Sequence, residues 1–456
     1  MKRWIIGFAV CASLSAQVKL PPYTREALPN GAVVYYLQKT GLPLVSFRAV
    51  VKGGDESDPA ALPSLAAVTA GLLERGTANL SAAQFAERLD TLGGNFGART
   101  DEQATSITAE FLKKDFDAGF ALFADAVLHP AFADEEVRKA VARHADSVKT
   151  AKDNPGRAIE PYFRSFYFGG GHPYGRVADE STYARMRRED IVGYHKQMYV
   201  GRNLILIVAG DFDPAAAKAR IMEVFGGAPA GTPYPWAEDK PPAASNRVLL
   251  VDKPDATQTY FIIAQPGVNR LTPDRVALTL VNTLIGGRFT SMLNEALRIN
   301  SGLTYGASSR VDMSRLTGAI YVNTYTRTDA TAKAIDMALD VLKRIQEQGL
   351  TAQQLASAKA TVKGGYPTSR LQTADQVAGM LAEMELFALG PDEVNQYFQR
   401  IDAVTLEQAN AVARKYYKPE NLTFILLGNA SKIREMAAKY GPKLVERSVS
   451  QPGWAN

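Results

Sequence analysis

The chain is nearly without the residues that most often carry metal and thiol chemistry. Its 456 residues include one cysteine, Cys11, and four histidines, His129, His144, His172 and His195. Cys11 falls within a leader-like segment, so the mature chain is expected to have no disulfide and no thiolate metal site. No two histidines are spaced to share one helix face, and each reads as a surface or satisfied-core residue. There is no G-x-S-x-G elbow and no phosphate-cradling glycine loop. Charge of one sign is also scarce: the net charge is +5, two of it from Lys2 and Arg3, and no basic run suggests nucleic acid.

What is present begins with a leader. Met1 to Ala16 has a charged start, an apolar stretch and small residues before Gln17, the pattern of a signal peptide and too short to span a bilayer. Ala9-Val10 is a poor lipid-anchor context for Cys11. The mature protein is therefore expected to be secreted or periplasmic, with no integral membrane segment after cleavage. A hydrophobic fraction of 46% with 22% charged residues fits a globular chain with substantial cores.

The element order repeats. Residues 17–226 read as strands, helices at 64–75 and 81–92, two more strands, long helices ending near Pro155, a GGGHPYG loop and the apolar strand NLILIVA. Residues 227–246, rich in proline, cannot form a regular element. Residues 247–456 then repeat the order. YVGRNLILIVAGD (Tyr199–Asp211) matches YKPENLTFILLGN (Tyr417–Asn429) in the placement of tyrosine, asparagine and glycine. The expectation is α+β: two tandem pseudo-repeat domains, each a mainly antiparallel sheet with helices packed on one face.

One stretch organises the second half. LNEALRINSGLTYG, Leu293 to Gly306, starts as a helix with Leu293 and Leu297 on one face, Arg298 in its last turn and Gly302 as its left-handed stop. Thr304 and Tyr305 open a strand-like run. The corner sets a guanidinium and a phenol on either side of one turn, where they can grip a peptide carbonyl or steady an oxyanion. Helix-end arginines and half-buried strand tyrosines are also common for structural reasons alone.

The longer stretch LIGGRFTSMLNEALRINSGLTY, Leu284 to Tyr305, resembles the motif LGG-F-S-x-L-x-x-x-L-R-x-x-x-GL-x-Y. That motif belongs to the zinc metallopeptidases related to pitrilysin, insulin-degrading enzyme and the mitochondrial processing peptidase. The resemblance implies that Arg298 and Tyr305 are the arginine–tyrosine pair such enzymes use beside zinc. It also implies that Gly286 and Gly287 let backbone approach substrate closely, and that peptide binds as an added strand on a sheet edge. Family members carry H-x-x-E-H on an amino-terminal helix, commonly GLAHFLEHMLFKGT. Here the matching SLAAVTAGLLERGT, Ser64 to Thr77, has Ala67, Ala70 and Gly71 at the ligand and base positions. Ser147, beside Asp146, matches the third ligand. The chain thus resembles the subunit of a heterodimeric peptidase that keeps the arginine–tyrosine pair while a homologous partner holds the zinc. The resemblance implies no cofactor in this chain, and a zinc-bearing subunit and a peptide as partners. A non-proteolytic scaffold of the same fold is the alternative; a self-sufficient hydrolase has no residue pattern in its favour.

Overall fold

The computed structural model describes residues 18–455. The expected leader, with Cys11, lies outside them. The first half builds one six-stranded sheet from β1 (Thr24–Ala27), β2 (Val33–Gln38), β3 (Leu44–Lys52), β4 (Asn95–Thr100), β5 (Ala104–Leu112) and β6 (Leu204–Gly210), in the order β1-β2-β6-β3-β5-β4. The second half repeats it with β7 (Arg247–Asp252), β8 (Gln258–Pro266), β9 (Ser308–Met313), β10 (Thr317–Arg327), β11 (Thr423–Gly428) and β12 (Lys443–Ser448), in the order β12-β7-β11-β8-β10-β9. Most neighbours are antiparallel; β2–β6, β7–β11 and β7–β12 are parallel. The two matched sequence blocks end in β6 and β11, which occupy equivalent central positions.

The helices correspond as well. The first half has α1 (Leu65–Gly71), α2 (Ala82–Thr91), α3 (Phe116–Leu128), α4 (Asp134–Asp153), α5 (Pro155–Phe168), α6 (Glu180–Arg185), α7 (Arg188–Met198) and α8 (Pro214–Phe225). The second has α9 (Arg275–Ile285), α10 (Met292–Asn294), α11 (Thr331–Gln348), α12 (Ala352–Arg370), α13 (Ala374–Leu386), α14 (Asp392–Asn395), α15 (Tyr397–Ala403), α16 (Leu406–Tyr416) and α17 (Ala430–Ala437). Local chemistry explains several ends. Ser81 and Gln84 form a reciprocal capping box on α2, and Asn154 caps α5 with Pro155 in its first turn.

Each sheet packs its own half's helices on one face. The opposite face takes a helix from the other half. Helix α13 lies on β2, β3 and β6, where Val377, Ala378 and Leu381 meet Tyr35, Ile205 and Ile207. Helix α5 reciprocates on β8 and β11, so Ile262, Ile425 and Leu427 join the first half's core with Ile159 and Phe163. This exchange is why β6 and β11 are buried along their whole length and read as continuous apolar runs rather than alternating ones.

Residues 229–246 contain no helix or strand, and the segment is pinned rather than loose. Glu56 accepts from the Ala237 N–H at 2.8 Å and from Arg315 at 2.9 and 2.6 Å. The Arg315 guanidinium also stacks on Trp236. Asp239 accepts from the Thr317 N–H and hydroxyl, each at 2.8 Å. The GGGHPYG loop joins this seam through the Tyr174 hydroxyl, which accepts from the Leu316 N–H at 3.0 Å.

Candidate functional site

The organising stretch folds differently from the expected plain helix and strand. After α10, residues Glu295–Asn300 form a π-helical turn. The Leu297 carbonyl is its pivot, accepting from the Leu303 N–H at 2.9 Å, the Thr304 N–H at 3.2 Å and the Ser301 hydroxyl at 2.9 Å. Gly302 is left-handed at φ 62°, as the helix stop requires. Leu293 and Leu297 are fully buried and anchor the turn. Single π turns of this kind concentrate at functional sites, because the widened backbone re-aims a side chain.

Tyr305 does not open a strand. It sits in a loop, and β9 starts at Ser308. The reason is visible in β10: Thr326 donates its hydroxyl to the Leu303 carbonyl at 2.7 Å, and Thr324 to the Gly306 carbonyl at 2.9 Å. Asn294 accepts from the Ala307 N–H at 2.9 Å. The loop backbone is thus tied down on both sides while the Tyr305 side chain stands 75% exposed.

The structure brings Arg298 and Tyr305 together. The Arg298 guanidinium carbon lies 4.7 Å from the Tyr305 ring centre and 4.5 Å from that of Phe289. Two aromatic rings therefore lie against the guanidinium, and among the described residues no carboxylate pairs with it. A guanidinium held against rings without a carboxylate partner can still donate its N–H groups to a carbonyl or oxyanion. Phe289 is 59% exposed, which hydrophobicity alone does not explain. The sequence reading missed it, although it is the phenylalanine of the quoted motif.

Neither Gly286 nor Gly287 leaves open space where its side chain would begin. A side-chain carbon on Gly286 would stand 2.1 Å from the Ser309 nitrogen, so this glycine is accounted for by the close passage of β9. Gly287 is exposed, yet a side-chain carbon on it would stand 2.9 Å from the Thr283 Cα and 3.1 Å from the Asn282 carbonyl oxygen, so it is accounted for by the close backbone of α9.

The amino-terminal helix α1 is well formed but chemically bare. Asp58, buried at its start, accepts from the Ser64 and Ala66 N–H groups at 2.6 and 2.8 Å. Burial pushes its carboxyl well above the usual carboxylate range. Ala67 is partly exposed, Ala70 buried and Gly71 exposed, with nothing within 4 Å of where a Gly71 side chain would begin. Ser147 is exposed on α4, and Asp146 beside it pairs with Lys149. None of the helix positions offers a donor atom, so the zinc of the resembled enzymes does not fit this chain. Among the described residues, no three His, Cys, Asp or Glu side chains gather in a group that could hold a metal ion.

The histidines have other work. His195 donates its Nε2–H to the Val127 carbonyl at 2.9 Å and stacks on Tyr199. His172 Nδ1 accepts from the Tyr174 N–H at 3.1 Å. Burial lowers the pKa of each to about 4.

A duplicated pair of α+β halves, with an arginine–tyrosine pair in the second and a donor-free helix in the first, defines a peptidase-type fold without its metal motif. Comparison with known proteins agrees. Residues 33–169 match the family description "Insulinase (Peptidase family M16)" and residues 185–362 match "Peptidase M16 inactive domain". The chain belongs to peptidase family M16. It is 27% identical over 395 residues to an uncharacterized zinc protease of Mycobacterium bovis, covering 86% of this chain and 90% of that one. It is 22% identical over 448 residues to a protein of Helicobacter pylori called a non-peptidase homolog, covering 95% and 100%. The crystal structure of a peptidase M16 inactive domain from Pseudomonas fluorescens superposes with a TM-score of 0.83 at 22% identity, covering 89% of this chain and 98% of that one.

Proposed function

We propose that this chain is the zinc-free subunit of a two-chain metallopeptidase of family M16. It binds peptide and lends Arg298 and Tyr305 to a centre whose zinc and attacking water belong to a homologous partner. The supporting observation is the asymmetry within one chain: Arg298 and Tyr305 are held together and presented to solvent, while α1 offers nothing at Ala67, Ala70 and Gly71. In this reading the Arg298 fork donates to a main-chain carbonyl of the substrate. The Tyr305 hydroxyl donates to the oxygen that gains negative charge as the scissile carbonyl is attacked. The edge strand β4 is the place for an added peptide strand. In this reading the leader-like sequence at 1–16 directs the chain out of the cytoplasm, as a secreted or periplasmic protein.

The test is reconstitution. The mature chain alone should cleave no peptide, and the chain mixed with an M16 subunit carrying H-x-x-E-H should. If no such subunit forms a complex or gains activity, the chain is a non-proteolytic scaffold of the same fold. The name of the Helicobacter pylori relative favours that second reading.

A further inference from the structure

A recess of about 340 Å³ lies away from Arg298 and Tyr305, where the exchanged helix α13 meets α9, α12 and α15. Its floor is built on Glu393, whose side chain is 7% exposed. Arg270, Arg275 and Arg400 all donate to this one carboxylate. Arg270 also donates to Glu383 at 2.9 and 2.6 Å, and Arg370 reaches Glu383 from the rim at 3.4 Å. The guanidinium groups outnumber the carboxylates, so the recess carries uncompensated positive charge. Arg270 Nη1 is buried and has no hydrogen-bond partner.

A concave site with excess charge and low-dielectric walls focuses its field on an anion. A buried guanidinium donor without an acceptor is completed by one. The walls narrow the choice. Met313 and Met380 line one part, and the rings of Tyr366 and Tyr397, 4.4 Å apart, line another. Methionine and aromatic surfaces adapt to varied apolar groups, which a bare phosphate would leave unused. The volume suits a single residue. We propose that this recess binds the free C-terminal residue of a peptide, its carboxylate on Arg270 and Arg370 and its side chain against the methionines and tyrosines. Guanidinium–carboxylate geometry favours that headgroup. The inference needs neither the Arg298–Tyr305 pair nor a zinc-bearing partner.

Calorimetric titration of the mature full-length chain tests it, using N-acetyl-Ala-Ala-Phe as the free acid, its C-terminal amide, and inorganic phosphate, all at one ionic strength. The free acid should bind saturably, and the amide and phosphate each at least about tenfold more weakly, since they lose the carboxylate or the apolar contact. Arg370→Gln, at the half-exposed rim, should weaken the acid about fivefold or more without moving the ligand-free melting temperature. Equal binding of acid and amide, phosphate binding as tight as the acid, no saturable binding of the acid, or an indifferent Arg370→Gln would each overturn the proposal.

Discussion

Glu56 of the first half and Arg315 of the second form a bidentate pair across the seam, with the glutamate side chain 0% exposed. A carboxylate so deeply placed is tolerable only while its partner remains. Arg315→Ala should therefore destabilise the chain by about 3–5 kcal/mol, read as a lower urea midpoint. Replacing both residues with apolar ones of similar size should restore much of that loss. A single variant that melts like the parent would show that the seam does not depend on this pair.

In an active complex, Tyr305→Phe removes one hydroxyl from an exposed side chain, so the fold should survive. Loss of one oxyanion donor should cost about 10²–10³ in kcat. Arg298→Ala should also raise KM, because it removes the fork that holds the main chain. Ser147→Ala, exposed on α4, should change neither. Activity indifferent to both Arg298→Ala and Tyr305→Phe would make the pair structural and leave the scaffold reading in place.

Phe289 should act through Arg298. Phe289→Ala removes one of the two rings against the guanidinium, a loss of about 0.5–1 kcal/mol at an exposed site, and should lower kcat/KM a few-fold with no change in melting temperature. Phe289→Trp should retain the parent rate. If tryptophan were as poor as alanine, ring stacking would not be what positions Arg298.

Metal content is a separate check. With Ala67, Ala70 and Gly71 at the motif positions, purified mature chain should contain no stoichiometric zinc by elemental analysis. Its melting temperature should not respond to a chelator. One tightly held zinc per chain would mean that other side chains build a site.

His195 makes a pH prediction. Its folded pKa is lowered to about 4 by burial, below the usual value of about 6.5. Between those limits the unfolded chain binds a proton that the folded one refuses, so this contribution to stability falls as pH drops from about 6.5 to about 4 and is flat below. The contribution is worth up to about 3 kcal/mol. Asp55 and Asp312 are raised to about 6 and about 7 by burial and act with the opposite sign, so the parent curve alone is uninformative. The difference between parent and His195→Gln isolates the effect: the parent's advantage should shrink across that window. A constant difference would mean His195 titrates normally.

The repeat, the helices with clear caps and the Arg298–Tyr305 juxtaposition were legible because they rest on local spacing. The π turn was not, since π and α turns can bury the same apolar residues, Leu293 and Leu297, and differ in whether a carbonyl accepts from the fifth or the fourth residue on. Tyr305 looked like strand because Thr324 and Thr326, which hold its loop away from the ladder, lie about twenty residues downstream. Strand β12 escaped notice because KLVERS is a polar edge with little apolar alternation. Helices α5 and α13 were visible as helices. Nothing in an amphipathic pattern says whose sheet it will cover, although the unbroken apolar runs of β6 and β11 announced that something would.

The reciprocal placement of α5 and α13 makes the two halves clasp like linked fingers. Neither sheet can present a closed core without a helix from across the seam, so a protease nick within 229–246 should leave two fragments that remain joined, and either half expressed alone would expose an apolar sheet face and aggregate. In the two-chain reading proposed above, this makes the chain one jaw: closing on a peptide would be motion against the partner, not between the two halves of this chain.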